Sequence, residues 1–502
     1  MKVLLKNMIL FALLLYTISC RVSVDDAEII NQLPKLYPDY IDVTIPYNIA
    51  PLNFKLLDNA EKIYVKIEGK SGVLTQSGNK QISFSKSKWR SFLEANKGTS
   101  LLVTVYSLKE SKWLQYKSFS LAVQSEPIDS HIVYRLIEPG YSMAYKHGIY
   151  QRNLETFEEK IIYHTDLNGG GCMNCHSFCS QDPEKMLFHI RGKNSGTYIL
   201  DNKDIKKINT KTPYTLSNAV YPSWHPDGDI VAFSTNNTWQ AFHTLKDERV
   251  TVFDYKSDIL LYDIRKNELL TTPLIASDEF CETFPFFSSD GSKLYFMSCH
   301  TVDSLPKKYE EQVYSLCFID YDVDTHAFGS QVDTLINAFT FGKGVAHPHA
   351  SPDGKYILYS GVDHGNFSSW NKEADLYIYN FETIENYPLK EANSDCSESC
   401  NSWSSNSKWV AFSSRRDDGL YNRIYITYID EKGNASKAFM LPQKDADYYP
   451  QLLKSYNLPE FIKGEMRMSP YFIEDAARTK KALDVQFNGS EKRSENIIHS
   501  IN

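Results

Sequence analysis

The chain has 502 residues, a formal charge of −8 at pH 7 and 13 % aromatic residues, with 33 tyrosines. That length exceeds one ordinary core, so several domains are expected, and the acidic balance argues against nucleic acid or an anionic membrane surface as partner. Short runs of Tyr, Val, Ile and Thr favour strands over helices, and no apolar stretch after the N-terminus is long enough to span a bilayer.

Lys2 and Lys6 precede an apolar run from Met8 to Tyr16, closed by Thr17-Ile18-Ser19-Cys20. This order of charge, short apolar core and small residue is a secretory signal, too short to cross a membrane. Ser19 before Cys20 matches a bacterial lipobox, so residues 1–20 read as a lipoprotein signal peptide and Cys20 as the lipidated first residue of the mature chain. The expected location is outside the cytoplasm, anchored in the outer membrane and facing the periplasm or the cell surface. Residues 21–39 read as a tether. Short strand-like runs such as Phe54–Leu56, Ile63–Ile67 and Leu101–Tyr106 then predict an N-terminal immunoglobulin-like sandwich over 40–125.

Residues 126–181 read as a linker that carries the most specific motif of the chain, Cys172-Met173-Asn174-Cys175-His176. Two thiols three apart followed by an imidazole form the c-type haem attachment pattern. Cys172 and Cys175 would make the thioethers and His176 the proximal iron ligand, giving one covalent haem c. Gly169-Gly170-Gly171 just before it offers bare backbone for close approach of a flat macrocycle. The bland alternative is a short Cys172–Cys175 disulfide, with Cys179 nearby. Elsewhere, Cys299 with Cys317 suits a cross-strand disulfide, Cys396 with Cys400 a closed loop, and Cys281 has no evident partner.

Over 182–445 a segment recurs: Tyr221 to Phe233, Phe284 to Phe296, His347 to Tyr359 and Cys400 to Phe412. Each holds a turn Asp or Asn (Asp227, Asp290, Asp353, Asn406) with an aromatic residue at the same offset beyond it, and a weaker copy runs from Asp182 to Phe188. Turn residues spaced 45 to 63 apart, each in a tight turn between short strands, signal propeller blades. Five blades are recognised and a sixth is expected, closed by flanking segments. Residues 446–502 read as a closing segment and a mobile tail.

Counting back from the turn aligns His176 with Tyr221, Phe284, His347 and Cys400 at the start of the innermost strands. This predicts haem at one mouth of the central channel. His347 becomes the candidate distal ligand, facing His176 across the axis, with His349 beside it; Met143, His147, His189 and His225 are its rivals.

The Pro-Asp-Gly repeats resemble those of TolB-like propellers. Together with the lipoprotein signal, Arg135-Leu136-Ile137-Glu138-Pro139-Gly140-Tyr141, Tyr150-Gln151-Arg152-Asn153-Leu154, the haem motif and His189-Ile190-Arg191-Gly192, the chain resembles TolB-like propeller lipoproteins of the bacterial envelope that carry a cytochrome c motif. The resemblance implies an all-β chain, an N-terminal sandwich followed by a six-bladed propeller, with haem attachment. The haem would make electron transfer to an unknown redox partner, or ligand binding at the haem, the natural role. A haem-free platform for an envelope protein or a glycan is the second reading. A metal-dependent lyase using His347 and His349 with His225 is the third.

Overall fold

The computed structural model describes residues 23–138, 147–244 and 248–488. The signal peptide, Cys20, Met143 and the tail from residue 489 lie outside the described residues. Among the described residues no helix is long and apolar enough to cross a membrane.

Six antiparallel sheets form the propeller. Blade 2 runs outward from Met173–Phe178 through Lys185–Ile190 and Gly196–Asp201 to Asp204–Asn209, and blade 3 from Val220–Trp224 to Glu268–Leu270. Blades 4, 5 and 6 begin with the innermost strands Phe280–Phe287, Gly344–Ala350 and Glu398–Trp403. Blade 1 closes the ring. Its innermost strand, Ser455–Ile462, pairs with His131–Ile137, and Gly148–Asn153 and Glu159–His164 lie outward of that.

The expected sixth blade is therefore assembled from both ends of the repeat region. Two boundaries change with it. Much of the stretch read as a linker over 126–181 is blade, because Ile132, Val133, Ile149 and Ile162 are fully buried apolar residues that need a sheet to cover them. The closing segment adds more than one strand: Leu483–Asp484 and Gln486–Asn488 extend the outer edges of blades 2 and 3 in parallel, covering edges that would otherwise stay open.

The aromatic row read from the repeat is the core between blades. Phe188, Phe233, Phe296, Tyr359 and Phe412 are all buried, each in the apolar cluster between its own blade and a neighbour. A blade has two apolar faces, so only stacking against two neighbours removes both from water.

The N-terminal region differs from an immunoglobulin sandwich. It is a seven-stranded sheet with a three-stranded sheet beside it, and two of its pairings are parallel. Helix Lys86–Ala95 packs Trp89, Phe92 and Leu93 into the core, a spacing of helical period inside what reads as a strand-rich stretch. The expected tether is partly folded in, since Glu28–Ile29 pairs with Lys112–Gln115 and Leu36–Tyr37 with Phe54–Leu56. This region shares one apolar cluster with blades 1, 5 and 6.

Candidate functional site at the channel mouth

Every innermost strand is interrupted at the same height. The register breaks between Asn174 and Ser177, Val220 and Ser223, Thr283 and Phe286, Ala346 and His349, and Ser399 and Ser402, and in blade 1 opposite the step from Val133 to Arg135. At each break one residue has left-handed backbone: Cys175 at φ 55°, Tyr221 at 50°, Phe284 at 50°, His347 at 49°, Cys400 at 51° and Leu458 at 50°. None is glycine, and such residues cost on the order of 1–3 kcal/mol each unless the surroundings hold them. Bulges of this kind re-aim side chains, and here several of them meet in succession. Tyr221 stacks on Phe284 at 3.9 Å, Phe284 meets His347 edge-on at 4.8 Å, and His347 Nε2 lies 3.9 Å from Cys400 Sγ.

This ring corrects the predicted alignment by one residue. Cys175, not His176, shares the row of Tyr221, Phe284, His347 and Cys400. Blade 2 reaches its turn through Cys179–Gln181, where Ser180 and Gln181 are themselves left-handed, and this turn holds one residue more than the Pro-Asp-Gly hairpins. His176 falls in the next row, occupied elsewhere by Pro222, Pro285, Pro348, Asn401 and Pro459. Proline suits a bulge because no ladder bond is lost. His176 thus puts an imidazole where four blades put a saturated ring.

Both rows, Cys400 excepted, line a cavity of about 450 Å³ at this mouth, walled in part by Trp224, Phe286 and Trp403. Cys175 and His176 face it, while Cys172 does not line it and is half-buried at the start of the strand. Among the described residues neither ring nitrogen of His176 makes a well-formed hydrogen bond, although its side chain is only 1 % exposed and the Leu458 backbone lies close to the ring. Burial, reinforced by Arg135 and only partly opposed by the Leu458 backbone, lowers its pKa to about 3. Glu460 Oε2 stands 3.7 Å from Nε2. Burial raises that carboxyl to about 8 even though it accepts the Phe178 N–H, so at neutral pH the two meet as neutral groups rather than as an ion pair. Burial likewise raises the Cys175 thiol, against the Tyr221 backbone and two arginines.

His347 does stand across the axis and lines the same cavity, but its nitrogens are engaged. Nδ1 bonds Ser368 Oγ at 3.1 Å and Nε2 faces Cys400 Sγ. His349 Nδ1 bonds Asn401 Oδ1 at 3.2 Å, and burial, then His347, lowers its pKa to about 4. The rivals have structural posts. His147 Nε2 accepts the Met173 N–H at 2.8 Å, His189 Nδ1 bonds Thr197 at 2.7 Å, and His225 is packed against Gly291 and Phe287. The lyase arrangement of His225, His347 and His349 is not assembled, and among the described residues no group of three or more His, Cys, Asp or Glu is placed to hold a metal ion.

Two further expectations change. A Cβ on Gly171 would sit 2.5 Å from the Arg191 carbonyl and 2.4 Å from Asn168 Nδ2, so its bare backbone serves chain packing rather than a macrocycle. The register sets Cys281 opposite Cys299 and Cys317 opposite Phe296, which removes the basis for a Cys299–Cys317 bridge, while Cys400 turns its sulfur to His347. Glu460 and Leu458 join the site without having been expected there. Leu458-Pro459 repeats the dipeptide of Tyr221-Pro222, Phe284-Pro285 and His347-Pro348, and that repeat is the signal in the chain that marks them.

No family model and no curated protein matches the chain. Among solved structures, a DUF4784 family protein from Bacteroides caccae is 10 % identical over 74 % of this chain and 94 % of its own, with a TM-score of 0.30. A protein assigned as a 6-phosphogluconolactonase from Bacteroides fragilis gives 12 %, 76 % and 95 %, at 0.33. The periplasmic gluconolactonase of Pseudomonas aeruginosa gives 11 %, 62 % and 96 %, at 0.34. Likenesses this distant carry no statement about activity, and the propeller rests on the strand register itself.

Proposed function

We propose that this chain is a lipid-anchored envelope propeller, attached through Cys20, that carries one haem c on Cys172 and Cys175 with His176 as iron ligand. It would work in electron transfer to a redox partner, or in binding a small ligand at the haem. The observation that carries the reading is His176, a buried imidazole whose nitrogens make no well-formed hydrogen bond among the described residues, directly after two free thiols and facing an aromatic-walled cavity. An unsatisfied buried polar group is costly, and the donor set of thiol, thiol and imidazole is the one haem c takes. Bound there, haem would supply one-electron chemistry or an iron position open to a ligand. The chain supplies the anchor, the apolar wall and, in Glu460, a neutral carboxyl beside the imidazole. His347 is not assigned to the iron, since Ser368 and Cys400 hold it. The family resemblance to TolB-like haem lipoproteins belongs to this same proposal.

The test is the spectrum and mass of the full chain from a host competent in cytochrome c maturation. A sharp reduced band that survives acid-acetone extraction and vanishes in Cys172→Ala/Cys175→Ala is expected. A colourless chain with Cys172 joined to Cys175 overturns it. That outcome leaves the second reading, a platform for an envelope protein or glycan, favoured by the Trp224 and Trp403 walls of the same cavity.

A further inference from the structure

On the other side of the ring, four side chains from blades 5 and 6 close a hydrogen-bonded circuit. His347 Nδ1 meets Ser368 Oγ at 3.1 Å, Ser368 meets Ser399 at 2.7 Å, Ser399 donates to Cys400 Sγ at 3.4 Å, and that sulfur faces His347 Nε2 at 3.9 Å. Two more groups converge on it: Ser369 Oγ at 3.6 Å and, from the innermost strand of blade 1, Asn457 Nδ2 at 3.7 Å. A neutral thiol is a weak donor and a weak acceptor, whereas a thiolate accepts several bonds. Asn457 Nδ2 can only donate, and Ser399 is turned to donate as well. The cysteine proton can pass to His347 Nε2 without reversing any other bond in the circuit, and the donors left behind all favour the ionised sulfur.

The charged surroundings point the same way. Burial by itself would push the Cys400 thiol up, but His347, Ser399 and Ser369 more than offset it and bring it to about 6. Arg135, whose guanidinium is bonded to Met173 O and Asn457 Oδ1, adds a second cation within electrostatic reach of Cys400. Cys400 is itself buried and does not line the cavity, but its neighbours His347 and Asn401 do, so the mouth is the nearest opening to the sulfur.

We propose that Cys400 is a nucleophilic thiolate, with His347 as its proton partner, that reacts with small hydroperoxides entering the channel. The sulfur attacks one peroxide oxygen, so that an S–O bond forms as the O–O bond breaks. Sulfur is oxidised by two electrons to a sulfenic acid, and the departing oxygen takes those electrons and the proton held by His347, leaving as water or an alcohol. The inference rests on blades 1, 5 and 6; it shares the channel mouth with the haem reading but concerns a different sulfur, so either can fail without the other.

It is tested by treating the full chain with hydrogen peroxide in the presence of dimedone, which traps sulfenic acid, and following every cysteine peptide by mass spectrometry. Cys281 and Cys317 are internal controls, both buried and both pushed up, the first by its contact with Cys299 and the second by burial. Cys400 should be tagged at least about tenfold faster than either, and His347→Asn should slow it by about tenfold or more, because only the thiolate reacts and the ionised fraction falls about tenfold for each unit the thiol rises above ambient pH. Tagging of Cys400 no faster than the two controls overturns the proposal, and this comparison within the unaltered chain does not depend on any variant folding. An unchanged rate in a folded His347→Asn chain overturns the role of His347.

Discussion

His176 and His347 stand on opposite walls of one channel mouth, one row apart in a ring of six like bulges, yet they are used differently. Among the described residues, His176 is buried with neither nitrogen in a well-formed hydrogen bond, whereas His347 is bonded on both sides. The same backbone device therefore presents one imidazole with spare coordinating capacity and another that is saturated. What separates them is the neighbouring blade: His176 faces a carboxyl kept neutral by burial, while His347 faces a serine pair and a cysteine. A histidine's chemistry is set by which of its nitrogens are already taken.

Substitutions on either wall break or sharpen that contrast. The largest effect is expected from Cys172→Ala/Cys175→Ala, which should abolish covalent haem completely, read as loss of the added mass. Next, His176→Ala should keep the covalent mass but shift the absorption bands of the reduced and oxidised protein, while His347→Ala leaves the band positions where they were. Equal spectral responses to the two would erase the distinction. Asn401 bridges the saturated side, donating to His347 O at 3.0 Å and bonding His349. Its replacement by alanine should cost about 1–3 kcal/mol in a denaturant melt, the penalty for stranding buried polar partners.

The smallest effect is a pH slope at Glu460. Its folded-state pKa of about 8 lies above the ordinary carboxylate value it has when unfolded, so the folded chain holds a proton that the unfolded chain gives up in between. Stability is thus lost as pH rises through that window. The side chain is 22 % exposed, which softens the loss. Glu460→Gln should gain melting temperature relative to the unaltered chain from pH 5 to pH 8, and a difference constant over that range would show that the carboxyl is not held protonated.

Local pattern carries far in this molecule. Asp227, Asp290 and Asp353 mark hairpins because Asp-Gly turns are short-range chemistry, and the aromatic residues at fixed offset mark the blade interfaces because side-chain period is strict along a strand. The helix Lys86–Ala95 is hard to see in the pattern although Trp89, Phe92 and Leu93 carry its spacing, since its neighbours are strands and a single helical turn of pattern is a weak signal against them. The row of His176 comes out one place wrong because one extra residue in the Cys179–Gln181 turn shifts a count made along the chain but not a register made across the sheet.

By itself, then, the sequence determined that there would be blades, where their turns and core aromatics fall, and that two thiols and an imidazole stand together in Cys172 to His176. Tertiary structure alone decided that Ser455–Ile462 closes the ring against His131–Ile137, that Cys175 rather than His176 joins the bulge row, and that Cys400 meets His347. The division comes from range. Turn chemistry and strand period act between residues a few positions apart, whereas ring closure and the partners of a buried side chain depend on which distant segments come to lie side by side.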